Sequence, residues 1–344
     1  MTGWKAWPTY SAVCRRDVQA LLQNGQSLTA YQANPRVGLG PRRGSWAWQL
    51  EEEAKRVHGV KHVIACSSAT TGLVALLQAL QLPRGGEVVT TALTFSATVG
   101  AILLAGLTPV FADVDPKTCC LSVETVREMI SKRTVAVLTV NLFGLEVPLT
   151  TLNLPVIYDA SQSVGQPPSG RHGVWSFNGR KNVPAGEGGA VFCDDADLAE
   201  RVRWLLNHGE NFPGGLIGGN GHLNELSACV ATHGMRVVAR RNAQRRLAAE
   251  WLEDALEAGD LPADFPHHDH AFYVYPFLSR RAVHIGTLLQ SRGIPCQPGY
   301  IQPPLHKYPQ FVEAWRGSLD VTECLSSRDL LIFPHVTPTA TRAE

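Results

Sequence analysis

"SFNGRKNVPAGEGGAVF", residues 176–192 of a 344-residue chain, decides how the rest is read. One lysine, Lys181, stands among glycines and is followed by Gly186-Glu187-Gly188-Gly189 and an apolar run. A loop lysine is ordinarily a solvated charge. Its flanks, "GVWSF" (173–177) and "GGAVFC" (188–193), read as strands. Lys181 therefore sits on a loop between two strands, where glycines let the backbone approach a bound group closely.

Outward from that segment the chain alternates. "HVIAC" (62–66), "EVVTT" (87–91), "TPVFADV" (108–114) and "TVAVLTVNLF" (134–143) read as strands. "GSWAWQLEEEAKRVHGV" (44–60, closed by Gly59), "TTGLVALLQALQL" (70–82), "SATVGAILLAG" (96–106) and "VETVREMISK" (123–132) read as helices. This rhythm predicts an α/β fold, a largely parallel sheet covered by helices. "PVIYDA" (155–160) and the two strands around Lys181 follow with little helix between them, which leaves room for antiparallel pairing. A long helix is expected over about 220–256; its basic cluster "RVVARRNAQRR" has no interleaved aromatics and reads as a solvated face. The remainder is expected as a small α+β domain with a strand at 271–279 and a helix at 282–293. The domain reading is thus 1–220 for the N-terminal segment and large domain, 221–256 for the connecting helix and 257–344 for the small domain.

Composition sets bounds. With 44% hydrophobic residues and a formal net charge of +1, the chain supports a sizeable core and shows no one-sign field for nucleic acid or an anionic membrane. No run of about 18 apolar residues predicts a membrane span, and "MTGWKAWPTY" lacks a signal-peptide core. The eight cysteines form no CxxC pair and lie mostly in apolar runs, so buried thiols are expected rather than disulfides or a metal site. A cytoplasmic location is the default.

A phosphate-bearing aldehyde cofactor makes four demands: an amine, an anion for its ring nitrogen, donors for its phosphate and a flat partner for its ring. Each demand has a candidate at the end of an expected strand, where open α/β sheets bind ligands. Lys181 is the amine, and Ser176, five residues earlier, is a phosphate donor. Asp159 ends "PVIY", placed to keep a pyridine nitrogen protonated; Gln162 is a donor to the phenolate oxygen. Thr70 and Thr71 in "SSATTGL" open a helix with hydroxyls and amides suited to a phosphate, and Phe95 is the ring cover. Each has an ordinary alternative: Thr70 as a helix cap, Phe95 as core, Asp159 paired with an arginine.

The combination resembles the DegT/StrS family of pyridoxal-phosphate aminotransferases of fold type I, over about Trp7 to Pro334. The Ser176–Lys181 spacing with "GEGG" is similar to that family's cofactor-lysine segment, and "VIYDASQSVG" to its aspartate segment. "ACSSATTGLVALLQAL" resembles its phosphate-binding turn, "TTALTFSAT" the segment of the ring-stacking aromatic, and "GIPCQPGYIQPPLHKYPQF" its C-terminal segment. "GGNGHLNELSA" resembles the segment whose asparagine reaches the partner subunit's phosphate; the resemblance gives that role to Asn220 and implies a homodimer with shared sites. It also implies pyridoxal 5'-phosphate as cofactor and transfer of an amino group from glutamate or glutamine to a keto sugar nucleotide or cyclitol. Lys181 is then the covalent anchor and, once freed, the proton carrier. Arg180, His222, Tyr300 and His306 lie in segments that border the family's acceptor pocket.

There are departures. His222 stands where arginine is common, Asn178 and Asn141 where many members have histidine, and the stretch Gly144–Lys181 is short, with "LEVPLTTLNL" in place of a helix. Two alternatives follow: a dehydratase on the same scaffold, some relatives of which replace the lysine with histidine, and a non-catalytic cofactor-binding regulator.

Overall fold

A computed structural model describes residues 10–23, 27–29, 40–209, 215, 217–257, 270–314 and 317–333. Residues 1–9, most of the glycine-rich run 210–216 and the tail 334–344, on which parts of the readings above fall, lie outside the described residues. The elements begin with α1 (Ala12–Gln23), α2 (Trp46–His58), β1 (His62–Cys66), α3 (Ala69–Ala79), β2 (Glu87–Thr91), α4 (Ser96–Leu104) and β3 (Thr108–Ala112). Next come α5 (Val123–Met129), β4 (Thr134–Val140), β5 (Val156–Asp159), β6 (His172–Ser176), β7 (Gly189–Cys193) and α6 (Ala196–Leu206). The last are α7 (Glu225–Met235), α8 (Val238–Glu257), β8 (Tyr275–Leu278), α9 (Ala282–Ser291), β9 (Gln297–Pro298), α10 (Asp320–Cys324) and β10 (Leu330–Phe333). They form two compact units, each discontinuous in sequence: Met1–Gln81 with Arg171–Ala239, and Leu82–Gly170 with Arg240–Glu344.

In the first unit β7 runs antiparallel to both β1 and β6, and Gly189 lies opposite Cys66 on one side and Ser176 on the other. The C-terminal ends of β1 and β6 therefore share one edge. Helix α2 starts at Ser45, whose Oγ accepts the Trp48 amide at 3.2 Å, and stops at Gly59 in the left-handed region (φ 71°). Its buried stripe is Ala47, Leu50, Glu51, Ala54 and His58, the spacing of one helix face. Glu51 is buried and satisfied: Arg203 of α6 donates to it at 2.6 and 3.1 Å, and the Ala65 amide at 3.0 Å. Trp175 stacks between His58 and Phe192, with ring centroids 4.0 and 4.5 Å away.

In the second unit β5, β4, β2 and β3 pair in parallel in that order. Strand β2 is buried along its whole length, as a parallel strand covered on both faces is, including its polar residues Glu87, Thr90 and Thr91. A small antiparallel sheet sets β10 between β8 and β9.

Two expectations change. Residues 221–256 form two helices rather than one: Asn224 caps α7, and the chain turns at Arg236–Val237, just after Gly234, a poor helix former whose added Cβ would meet Val183 at 2.9 Å. The strand expected at 271–279 begins only at Tyr275, because the Ala271 and Tyr273 amides donate to the Gly144 and Phe143 carbonyls instead. None of the eight cysteines is in a disulfide, and seven are buried. Among the described residues no helix is long and apolar enough to cross a membrane.

Candidate active site

The candidate residues of the first unit gather at the shared edge of β1 and β6. Helix α3 is capped by Ser68, whose Oγ accepts the Thr71 amide at 3.1 Å and lies 2.9 Å from the Thr71 hydroxyl. The cap is therefore Ser68 and not Thr70, which sits one residue inside the helix. The Ala69 and Thr70 amides, in the first turn, have no intrahelical acceptor. Gly189 lies against this helix start: a Cβ there would fall 2.5 Å from the Ala69 nitrogen and 2.7 Å from the Ser68 carbonyl carbon. Beyond Ser176, which is buried, the backbone folds back on itself through Phe177 N–H to Gly188 O (2.9 Å) and Gly179 N–H to Gly186 O (2.8 Å). Lys181, half-buried, lies on that loop, and its amide donates to the Asn178 carbonyl at 2.8 Å. Asn178 braces the loop further, donating to Glu187 at 2.8 Å and accepting the Arg180 amide at 3.2 Å.

Asn220 is exposed and pairs through an isolated bridge with Asn207. Its neighbour Gly221 accepts the Ser67 amide at 2.8 Å, which ties the asparagine loop to the turn before α3. His222 contacts Asn207 Oδ1 at 2.8 Å, and burial with nearby His208 lowers its pKa. Helix α7 is fixed to α2 by Glu225, which accepts the amides of Trp46 (2.8 Å) and Ala47 (3.0 Å).

In the second unit Asp159, Gln162 and Phe95 lie at or just beyond the C-terminal ends of the parallel strands β5 and β2, whereas Tyr300 and His306 follow β9 of the small antiparallel sheet. Asp159 is 7% exposed; the Thr98 hydroxyl donates to its Oδ2 at 2.8 Å and the Ser161 amide to its Oδ1 at 3.2 Å. It makes no ion pair among the described residues, so the arginine alternative has no support. A buried carboxylate held by hydroxyl and amide donors alone is suited to a cationic ligand atom. Gln162 Oε1 accepts the Phe143 amide at 2.7 Å, and its Nε2 donates to the Tyr300 hydroxyl at 3.1 Å. Phe95, just before α4, is 64% exposed and is not a core residue. His306 is 1% exposed, with Nε2 2.9 Å from Glu323, so it presents no surface to an acceptor in this arrangement. Arg180 is exposed and Tyr300 partly buried.

Thr98 and Ser68 were not singled out from sequence. Ser68 carried the signal of a cap before an apolar helix; Thr98, three residues after Phe95, had only its helical spacing.

The model of the DegT/DnrJ/EryC1/StrS aminotransferase family matches residues 36–343. The chain belongs to that family. It is 32% identical over 317 residues to UDP-N-acetyl-3-dehydro-alpha-D-glucosamine 3-aminotransferase of Acidithiobacillus ferrooxidans, covering 85% of each chain. Identity to L-glutamine:2-deoxy-scyllo-inosose aminotransferase of Streptomyces lividus is 28% over 337 residues, 88% of this chain and 77% of the relative. Among solved structures, DesI in the presence of its TDP-sugar product superposes with a TM-score of 0.82 at 27% identity, covering 96% of this chain and 86% of that one. The family member is accordingly an aminotransferase of fold type I, with pyridoxal phosphate as its cofactor. The residues present fit that group, each within its own unit: in the first, a helix start whose leading amides have no intrahelical acceptor suits a phosphate, and in the second, the buried Asp159 carboxylate suits a protonated ring nitrogen.

Proposed function

We propose that the chain moves an amino group from glutamate or glutamine to the keto group of a sugar nucleotide or an aminocyclitol precursor. The Asp159 carboxylate, buried with donors and with no cation paired to it among the described residues, carries the reading. The names of the relatives, one acting on a UDP-linked keto amino sugar and one on a cyclitol ketone, support the acceptor class.

When bound, pyridoxal phosphate supplies an aldehyde that takes up the amino group and a protonated ring that withdraws electrons from the reacting carbon. Lys181 would hold it covalently through its amine and, when that amine is free, would serve as the base that moves a proton from the donor's α-carbon. Asp159 keeps the ring nitrogen protonated, Gln162 donates to the phenolate oxygen, and Phe95 covers the ring. Thr70, Thr71 and Ser176 hold the phosphate, joined by Asn220 from the partner of a two-fold dimer. Arg180, His222 and Tyr300 border the acceptor, with His306 behind them. We also propose that 1–220 forms the N-terminal segment and large cofactor-binding domain, that 221–256, as the helices α7 and α8, is the connection, that 257–344 is the small domain, and that the protein is cytoplasmic.

The test is in two parts. Borohydride treatment of the cofactor-loaded protein should label one peptide, that of Lys181; a label elsewhere, or none, would sink the assignment. Keto sugar nucleotides and cyclitol ketones should then be screened against protein preloaded with amine from glutamate, with return of the visible band as the readout. Failure of every acceptor, with the glutamate step intact, would overturn the acceptor class.

A further inference from the structure

The chain after β4 enters the left-handed region at Phe143 (φ 60°) and again at Gly144 (φ 106°). Gly144 has a positive φ, and a Cβ there would lie 2.9 Å from the Gln162 carbonyl oxygen, so the turn packs directly against the residue it serves. This aims the Phe143 amide at Gln162 Oε1, 2.7 Å away. A backbone amide only donates, so the side-chain atom facing it is the oxygen, and the Gln162 NH₂ group must point the other way. It points at Tyr300, whose hydroxyl oxygen accepts one of its two protons at 3.1 Å. The tyrosine comes from a segment 138 residues away and its ring rests edge-on against Phe143 at 5.2 Å. Burial pushes the Tyr300 hydroxyl up to about 12, so it remains a neutral phenol at working pH.

We infer that Tyr300 is a positioning residue for the reaction: its hydroxyl, with the Phe143 amide, fixes the Gln162 amide so that the second Nε2 proton is aimed at the cofactor's phenolate oxygen. The inference rests on the reading that Gln162 meets the cofactor. It gives Tyr300 a role distinct from acceptor contact, and it concerns the colour chemistry of the bound cofactor rather than substrate choice. Oxygen and nitrogen of an unheld glutamine amide exchange places readily. The donor-only Phe143 amide selects the orientation, and the Tyr300 hydroxyl, by taking one Nε2 proton, sets the plane of the group and so the direction of the other.

The experiment is a spectroscopic pH titration of the cofactor-loaded protein. A donor at the phenolate oxygen draws off its negative charge and lowers the pH midpoint of the visible band. Tyr300→Phe, which keeps the ring against Phe143, should raise the midpoint by about half a pH unit, and Gln162→Leu by at least as much. In the double variant the effects should not add, because both substitutions act through the same Gln162 donor, one by removing it and one by releasing it. Melting of the apo-proteins checks that both variants fold. An unmoved midpoint in Tyr300→Phe, beside a moved one in Gln162→Leu, overturns the inference while leaving Gln162 as a cofactor contact. Additive shifts overturn it too, as does a raised acceptor KM with the midpoint unchanged. If neither substitution moves the midpoint, the reading of Gln162 itself falls and takes the inference with it.

Discussion

The Thr98 hydroxyl donates a 2.8 Å hydrogen bond to Asp159 Oδ2, linking residues 61 positions apart. Thr94 Oγ1 lies 3.0 Å from the Thr98 oxygen, and with Thr98's one proton on the carboxylate it is Thr94 that donates to Thr98. Both threonines are 1% exposed. The carboxylate is thus oriented by a short relay of two buried hydroxyls. Thr98→Val keeps the shape and removes the donor, and should slow the glutamate half-reaction roughly tenfold, as expected for a hydrogen bond to a charged group. Asp159→Asn should slow the same step by roughly 10²–10³-fold while cofactor binding persists in part. Stopped-flow absorbance measures both, and parent rates in either would reduce the pair to a structural role.

Gly189→Ala should damage the phosphate end. All three atoms that its Cβ would meet within 3 Å, on Ala69, Ser68 and Trp175, belong to the backbone and cannot rotate away. A loss of about 1–3 kcal/mol in urea unfolding is expected, together with weaker cofactor binding. A variant with parent stability and affinity would show that β7 and the start of α3 separate at little cost.

Acid should destabilise the fold through His58. Burial lowers its pKa from 6.5 to about 4, and its Nδ1 lies 2.9 Å from the Ala54 carbonyl. Between those values the unfolded chain takes up a proton that the folded chain excludes. The contribution is complete above about pH 6.5 and is lost as the pH falls toward 4, reaching about 2 kcal/mol at pH 5. Urea midpoints at pH 7.5 and 5.0 read this directly. His58→Phe, which retains a ring against Trp175, should flatten the difference, and an unchanged slope would exclude His58 as its source.

The proposed sharing of each site by two subunits predicts complementation. Lys181→Ala and Asn220→Leu homodimers should each be impaired, whereas a mixed dimer contains one doubly altered site and one intact site. Activity should recover on subunit exchange. No recovery, with exchange shown independently, places Asn220 in its own subunit's site.

What the sequence showed and what it hid divide along physical lines. Strands β1 and β2 fall on the expected residues, because buried strands in such sheets read as short apolar runs bounded by turns. Lys181 and Asp159 stood out because strand ends and glycine loops mark where a ligand can enter, and they lie on the loop after β6 and at the end of β5. Helix α6 went unread although Asp195 caps it, its Oδ1 accepting the Leu198 amide at 2.7 Å. The partners were beyond reach. Thr98 on Asp159, Tyr300 on Gln162 and Arg203 on Glu51 join residues 61, 138 and 152 positions apart, and only packing decides such pairings. His306 shows the converse. Its segment suggested a surface toward the acceptor, but the fold buries the ring against Glu323.

Glu225 closes the first turn of α2 from the first residue of α7, through the amides of Trp46 and Ala47. One carboxylate therefore ties two helix starts together across 178 positions, and they are expected to open as one cooperative unit. Deuterium uptake at Trp46 and Ala47 should keep pace with that of α7 and not with the fraying of an isolated helix end. Glu225→Gln, retaining one acceptor, should uncouple the two rates. The loop that carries Asn220 leads directly into α7, so its order would be inherited from a contact made near the other end of the unit's sequence.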